Sequence, residues 1–276
     1  MRLSPLAPVL ARGAGELQIG IRDPLVLDGL SASERRFVMS LEGGRRIGAA
    51  ERRRHGRLLD RLAGAGLDAS ARPAPACVRF HSASALAVEA AVALSRAGRA
   101  VSFADAARAR RDPHTAAVAG GSRGALAAQR VRRVVPEAEV RSAHAAADVD
   151  VLVTLGPPLT LARALLATDA PHLLVACDER GVTVGPLVVP GATACAQCLG
   201  LAATDADRAW PSLALQCEAR TPRTDALVAS IAGALAAASV DAFLRGSAPP
   251  TWRVEDGSID RVPHAHSHPQ CACSAA

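Results

Sequence analysis

The sequence predicts an α/β protein, a doubly wound sheet preceded by a small α+β module. Three observations carry that expectation. From Cys77 onward, short apolar runs ("CVRF", "AVSFAD", "DVDVLVTLG", "HLLVAC") alternate with helical segments. Before that point the pattern differs, with short alternating runs followed by two helical stretches. Between the two lies "DASARPAPA" (Asp68 to Ala76), whose prolines discourage helix and whose other residues are small. The expected domains are therefore residues 1–70 and 71–276.

In the first domain, "ELQIGI" and "PLVLDGL" alternate like strands joined by the turn-prone "RDP". "SASERRFVMSLEGG" offers Ser31 or Ser33 as an N-cap, apolar Phe37, Val38 and Leu41, and a Gly-Gly stop. "AAERRRHGRLLDRLAGAGL" predicts one further helix with Leu58, Leu59 and Leu62 on a single face. Strands with two or three short helices in this size range suit a winged-helix-like module.

In the second domain, "CVRF" leads to a helix over Leu86 to Arg96 and then to "AVSFAD". A loop ("ARARRDPHTAAVAGGS") precedes the helix "ALAAQRVRRVVP". "AEVRSA" and "DVDVLVTLG" read as strands, "LTLARALLATD" as a helix and "HLLVAC" as a strand. "GVTVGPLVVPG" reads as a hairpin of strands, and "TWRVEDGSIDRVP" as two late strands around "EDGS". The Ala-rich segment Asp225 to Leu244 is apolar enough to suggest a membrane span. Its Asp225 and Asp241 bracket only 15 residues, so a buried helix is expected instead.

Composition narrows the chemistry. The chain has 276 residues with two Trp, four Phe and no Tyr, so Ala, Leu and Val must build the core and helices must approach closely. No lysine is present, which removes Schiff-base chemistry and a lysine grip on phosphate. The formal charge of +6 permits an acidic partner. The local cluster "ERRRHGR" has no interleaved aromatics, so single-strand nucleic acid is not the expected partner. The N-terminus lacks a signal-peptide pattern, and a cytoplasmic protein without a membrane partner is expected.

The cysteines are the strongest chemical signal. "CAQC" (Cys195, Cys198) and "CAC" (Cys271, Cys273) form two close pairs separated by 72 residues. Two such pairs complete a tetrahedral sulfur site for Zn²⁺, and four thiolates leave no open position, so the zinc would be structural. The neighbouring His264, His266 and His268 either substitute for a ligand or lie in a solvated tail. Cys77 and Cys177 are expected in the core. Cys217, with Arg220 nearby, is a candidate nucleophile for which no partner base is identified.

With these elements placed, Cys77 to Cys273 resembles the ThiF/MoeB superfamily, the adenylyltransferases related to ubiquitin-activating enzymes. The likeness rests on the order of a Rossmann-like opening, an acidic strand end and the helix of "SRGALAAQRVRRVVPEAEV". "DVDVLVTLG", "GVTVGPLVVPGATACAQCL" and the terminal cysteine pair follow in the same order. Within the superfamily it looks most like actinobacterial ThiF-type proteins, some of which accompany YcaO cyclodehydratases and recognise precursor peptides. That likeness implies a peptide or small-protein partner, a YcaO-type companion enzyme, a homodimer, and a peptide-recognition role for residues 1–70.

The resemblance also implies an ATP site, and the sequence departs from it. The expected glycine-rich turn reads "HSASA", leaving Ser82 and Ser84 as the only hydroxyl donors to a phosphate. Asp105 stands where the family binds ribose, and Arg123 where it has lysine. A strand-end turn residue and a surface arginine are the plainer roles for those two. Where the family holds Mg²⁺ with an aspartate, this chain reads "TLGPP". The leading expectation is a pseudoenzyme with a degenerate ATP/Mg²⁺ site that recognises a peptide. The alternatives are an active adenylyltransferase that activates a C-terminal carboxylate, and a DNA-binding regulator using Arg52 to Arg54.

Overall fold

The structure is a computed structural model that describes residues 3, 7–13, 15–43, 45–67, 76–108, 121–158, 160–218, 220–263 and 265–274. The chain divides into two units, Met1–Ala74 and Pro75–Ala276. Residues 68–75 of the proposed linker, and most of the loop 107–122, lie outside the described residues.

In the first unit, β1 (Val9–Gly13), β2 (Glu16–Ile19) and β3 (Leu25–Leu27) form an antiparallel sheet in chain order. The alternation in "ELQI" buries Leu17 and Ile19, which join Leu27 in one core. Helix α1 (Ala32–Met39) starts at Ser31, whose hydroxyl caps the Glu34 amide while Glu34 returns to the Ser31 backbone. Phe37, Val38 and Leu41 meet Leu58, Leu59 and Leu62 in that core. Two expectations are corrected here. β1 was not foreseen, because only Val9 of its five residues is buried. The second helix is two, α2 (Ala49–Arg54) and α3 (Gly56–Gly64), broken at His55, whose ring stacks on Phe37 at 4.0 Å.

The second unit is a seven-stranded mixed sheet. Its strands are β4 (Cys77–Phe80), β5 (Ala100–Phe103), β6 (Val149–Leu155), β7 (His172–Cys177), β8 (Gly181–Val188), β9 (Thr251–Glu255) and β10 (Ser258–Val262). The order is β10-β9-β8-β7-β6-β4-β5. Only β5, β4, β6 and β7 are parallel, and they are nearly continuous apolar runs because both faces are covered. From β7 to β10 the pairing is antiparallel, and the two late strands around "EDGS" form the β9–β10 hairpin. "GVTVGPLVVPG" is not itself a hairpin. It is mainly β8, and the hairpin is β7–β8, turned by Asp178, whose Oδ1 accepts from the Arg180 and Gly181 amides at 2.9 Å each. "AEVRSA" contributes a single bridge, Val140 to Val101, with only one β-branched residue among its six.

One face carries α4 (Ala85–Arg96) and α9 (Ala226–Leu244), with α5 (Arg123–Val134) against α4 and β5. Alanines 87, 90, 232 and 236 sit with Val78, Phe80, Val151 and Val175 in this layer. Helix α9 is long and apolar enough to cross a membrane, but it is a core helix here, facing α4 through Gly233. The other face is covered by α6 (Thr160–Leu166) and α7 (Ala196–Ala206), which meet Leu152, Leu174 and Val188. Helix α8 (Trp210–Glu218) precedes α9 and buries only Ala214 among its residues.

Candidate functional site

Of the residues expected to serve a nucleotide, four come together at the carboxyl ends of β4 and β5. Ser84 is the N-cap of α4, its Oγ accepting from the Ala87 amide at 3.3 Å. Ser82 is buried, and its Oγ accepts from the Ser84 amide at 3.1 Å. Both hydroxyls therefore serve as acceptors that shape the turn and start the helix.

Asp105 follows β5 and is only 6% exposed. Its Oδ2 accepts from the Ala83 amide at 3.0 Å, and its Oδ1 from the Ala107 amide at 3.2 Å. Arg123 adds Nε to Oδ1 at 3.1 Å and Nη2 to Oδ2 at 2.9 Å. A carboxylate offers about four lone-pair positions, and this one accepts three hydrogen bonds with Arg123 Nη2 adding an ion-pair contact. The plainer roles expected for Asp105 and Arg123 are thus incomplete, because the two form one ion pair. Arg123 also donates from Nη1 to Thr221 Oγ1 at 2.6 Å, which fastens the segment between α8 and α9 to α5.

The residue that makes this pairing possible is Gly124, which sequence reasoning did not single out. A Cβ there would stand 3.0 Å from the Asp105 carbonyl oxygen and 3.1 Å from that of Phe103. Without it, the first turn of α5 docks on the end of β5, and the Gly124 amide donates to Asp105 O at 2.9 Å. The signal was visible as the glycine in "SRG".

At the end of β6, Thr154 donates to Gly156 O at 2.6 Å, and the ring of Trp210 would lie 3.1 Å from a Gly156 Cβ. A cavity of about 360 Å³ opens beside the start of α4. Ser84, Val153, Cys177, Thr221, Arg223 and Thr224 are among its lining residues, and none of the lining residues is a carboxylate.

The two cysteine pairs meet on the opposite face. Cys195 is the N-cap of α7 and Cys198 lies in its first turn, while Cys271 and Cys273 arrive with the C-terminal segment. The sulfurs are 3.8 Å apart for Cys195–Cys198, 3.7 Å for Cys195–Cys271 and 3.3 Å for Cys198–Cys273. All four lie within 4.8 Å of one another. A tetrahedral Zn²⁺ with bonds of about 2.3 Å needs sulfurs about 3.8 Å apart. The four cysteines can therefore hold a metal ion such as zinc. Burial opposes ionisation of Cys198, but the backbone N–H groups of His268 and Cys195 outweigh it and bring the thiol to about 7.

The histidines beside this cluster separate in role. His268 is neither a ligand nor solvated. Its Nε2 bonds Asp205 Oδ2 of α7 at 2.9 Å, and its Nδ1 accepts from the Gln270 amide at 3.2 Å. His266 lines a separate cavity, and His264 lies outside the described residues.

Cys217 lies in the last turn of α8. It is half-buried, and no base is within hydrogen-bond reach of its thiol among the described residues. Cys77 and Cys177 are buried, and burial pushes the Cys177 thiol up to about 12.

No protein-family model and no curated protein matches the chain. Solved structures do. E. coli MccB with MccA aligns at a TM-score of 0.58 and 16% identity, covering 100% of both chains. E. coli MccB with ATP aligns at 0.57 and 15%, covering 99% of this chain and 100% of that one. PaaA aligns at 0.50 and 12%, covering 78% and 84%. At these identities the fold is what is shared. The chain shares its fold with E. coli MccB.

Proposed function

We propose that this chain recognises a peptide or small-protein partner on an MccB-type fold whose nucleotide site is degenerate and non-catalytic. The observation that carries the reading is the state of Asp105. Its carboxylate is engaged within the chain by three hydrogen bonds and the Arg123 ion pair, so a ribose hydroxyl would have to displace one of them. The missing carboxylate at "TLGPP" supports the same reading, since Mg²⁺ takes carboxylate oxygens alongside phosphates. A zinc ion bound by Cys195, Cys198, Cys271 and Cys273 would staple the C-terminal segment to α7 and leave no coordination position for chemistry.

A peptide partner draws support from two sides. MccB has been solved with MccA, in one structure N-formylated. Residues 1–70 hold a three-stranded sheet with β3 at one edge, which suits addition of a peptide strand in a winged-helix-like recognition module. A YcaO-type enzyme and a second copy of the chain are the larger partners consistent with this reading.

An active adenylyltransferase is the rival. The 360 Å³ cavity at the start of α4 favours it, since ligand pockets begin near about 300 Å³. Isothermal titration of the full chain with MgATP decides between the two. We expect no saturable heat. Saturable binding together with ATP–pyrophosphate exchange in the presence of a carboxyl partner would establish the rival.

A further inference from the structure

Within Met1–Ala74, a cavity of about 500 Å³ opens where α1 faces α2. Its lining includes three arginines, Arg36, Arg45 and Arg54, against one carboxylate, Glu51. The three arginines are not equivalent. Arg45 grips Glu51 bidentately, Nη1 to Oε2 at 3.0 Å and Nη2 to Oε1 at 2.7 Å, and its Nε donates to Ser40 O at 2.9 Å. Its charge is neutralised, and its work is to hold the end of α1 to α2. Arg36 and Arg54 have no carboxylate partner among the described residues.

The wall between them is aromatic. Phe37 is buried and its ring stacks on His55 at 4.0 Å and 12°, with the Arg45 guanidinium 5.8 Å from the ring centre. Two unpaired guanidinium groups lining one concave, preformed site repel each other until an anion sits between them. A planar guanidinium matches a carboxylate through paired hydrogen bonds. We propose that this cavity binds an Asp or Glu side chain of an acidic peptide, held between Arg36 and Arg54 beside the Phe37–His55 stack. The proposal rests on the peptide-partner reading and names the chemistry that partner presents.

Two other anions are outcomes of the test. A phosphorylated side chain would meet the same two guanidinium groups, because Arg45 already neutralises Glu51. Duplex DNA needs a line of cations tracking its backbone, and it would draw on Arg52, Arg53 and Arg57, which also lack a carboxylate partner among the described residues but lie outside this cavity.

The test is a titration of the ¹⁵N-labelled full chain with N-acetyl-tetraglutamate amide, read at the arginine Nε–Hε resonances. Arg36→Gln and Arg54→Gln assign the two signals. Saturable shifts of both are expected, with affinity falling about tenfold or more in the double variant, as charge-assisted hydrogen bonds are lost. Arg61→Gln removes the same charge from α3, outside the cavity, and should leave affinity within about twofold. No saturable shift, or equal weakening by Arg61→Gln, overturns the proposal. So does tighter binding of the matching phosphoserine peptide, or displacement of tetraglutamate by duplex DNA at equal charge. None of these outcomes alters the MgATP titration, by which the reading of the degenerate site stands or falls separately.

Discussion

A Cβ added at Gly233 of α9 would lie 2.7 Å from Glu89 Cβ, 3.0 Å from Leu86 O and 3.1 Å from Ala90 N of α4. Two of these neighbours are backbone and the third is a Cβ, so none can swing aside. Non-bonded carbons rest at about 3.5–4.0 Å, so Gly233→Ala must part the two helices by about 1 Å. The contact surface is mostly alanine, and small side chains cannot reach across a widened gap. Overpacking of this kind costs up to about 3 kcal/mol, while Gly to Ala inside a helix returns about 1 kcal/mol. The net loss is about 2 kcal/mol, or about 1 M in urea midpoint for a slope near 2 kcal/mol per molar. Both tryptophans, Trp210 and Trp252, lie in Pro75–Ala276, so their fluorescence reports that unit alone. Ser230→Ala, on the exposed side of the same helix, should leave the midpoint within about 0.25 M. A Gly233→Ala midpoint equal to or above that of the parent would refute the close approach of α4 and α9.

Other consequences can be measured directly. Native mass spectrometry should find one zinc per chain, and Cys198→Ser should lose it, with faster hydrogen exchange over residues 265–274. Retention of metal by that variant would mean that the four sulfurs are not the site. Asp178 is gripped by Arg253 at 2.6 and 2.8 Å, and that contact holds its carboxyl down to about 2. Its folded value lies below the unfolded one, so its stabilising contribution is complete above about pH 4 and is lost as pH falls toward 2. Asp178→Asn should therefore lower stability at pH 6 and flatten the acid limb of the urea midpoint against pH. An unchanged limb would show that the ion pair contributes nothing.

Much of the secondary structure was legible because local signals coincided with tertiary ones. "CVRF" and "HLLVAC" are observed over the residues expected, as β4 and β7, since runs of β-branched and aliphatic residues have few other uses. The capping box at Ser31 and Glu34 is equally local. The failures have the opposite character. The break between α2 and α3 depends on His55 finding Phe37 from another helix. Strand β8 turned against β7 rather than on itself because Asp178 closed the nearer turn. In "DVDVLV" the pattern shows a strand. It does not show that Asp150 becomes buried with Arg79 Nε and His81 Nε2 each 2.6 Å from Oδ1.

The candidate sites divide in the same way. The sequence alone determined that two cysteine pairs were available to one tetrahedral metal, because the spacings CxxC and CxC each turn two sulfurs toward a common point. It also determined that the turn after β4 lacks glycine and that no carboxylate stands in "TLGPP", since both are facts of composition at fixed places. Only the tertiary structure decided how Asp105 is used. Its carboxylate is engaged by Ala83, Ala107 and Arg123, three residues from three segments, and Gly124 is what lets the last of them approach. Hydrogen bonding of this kind is a property of distances between segments remote in sequence, and the linear pattern does not encode those distances.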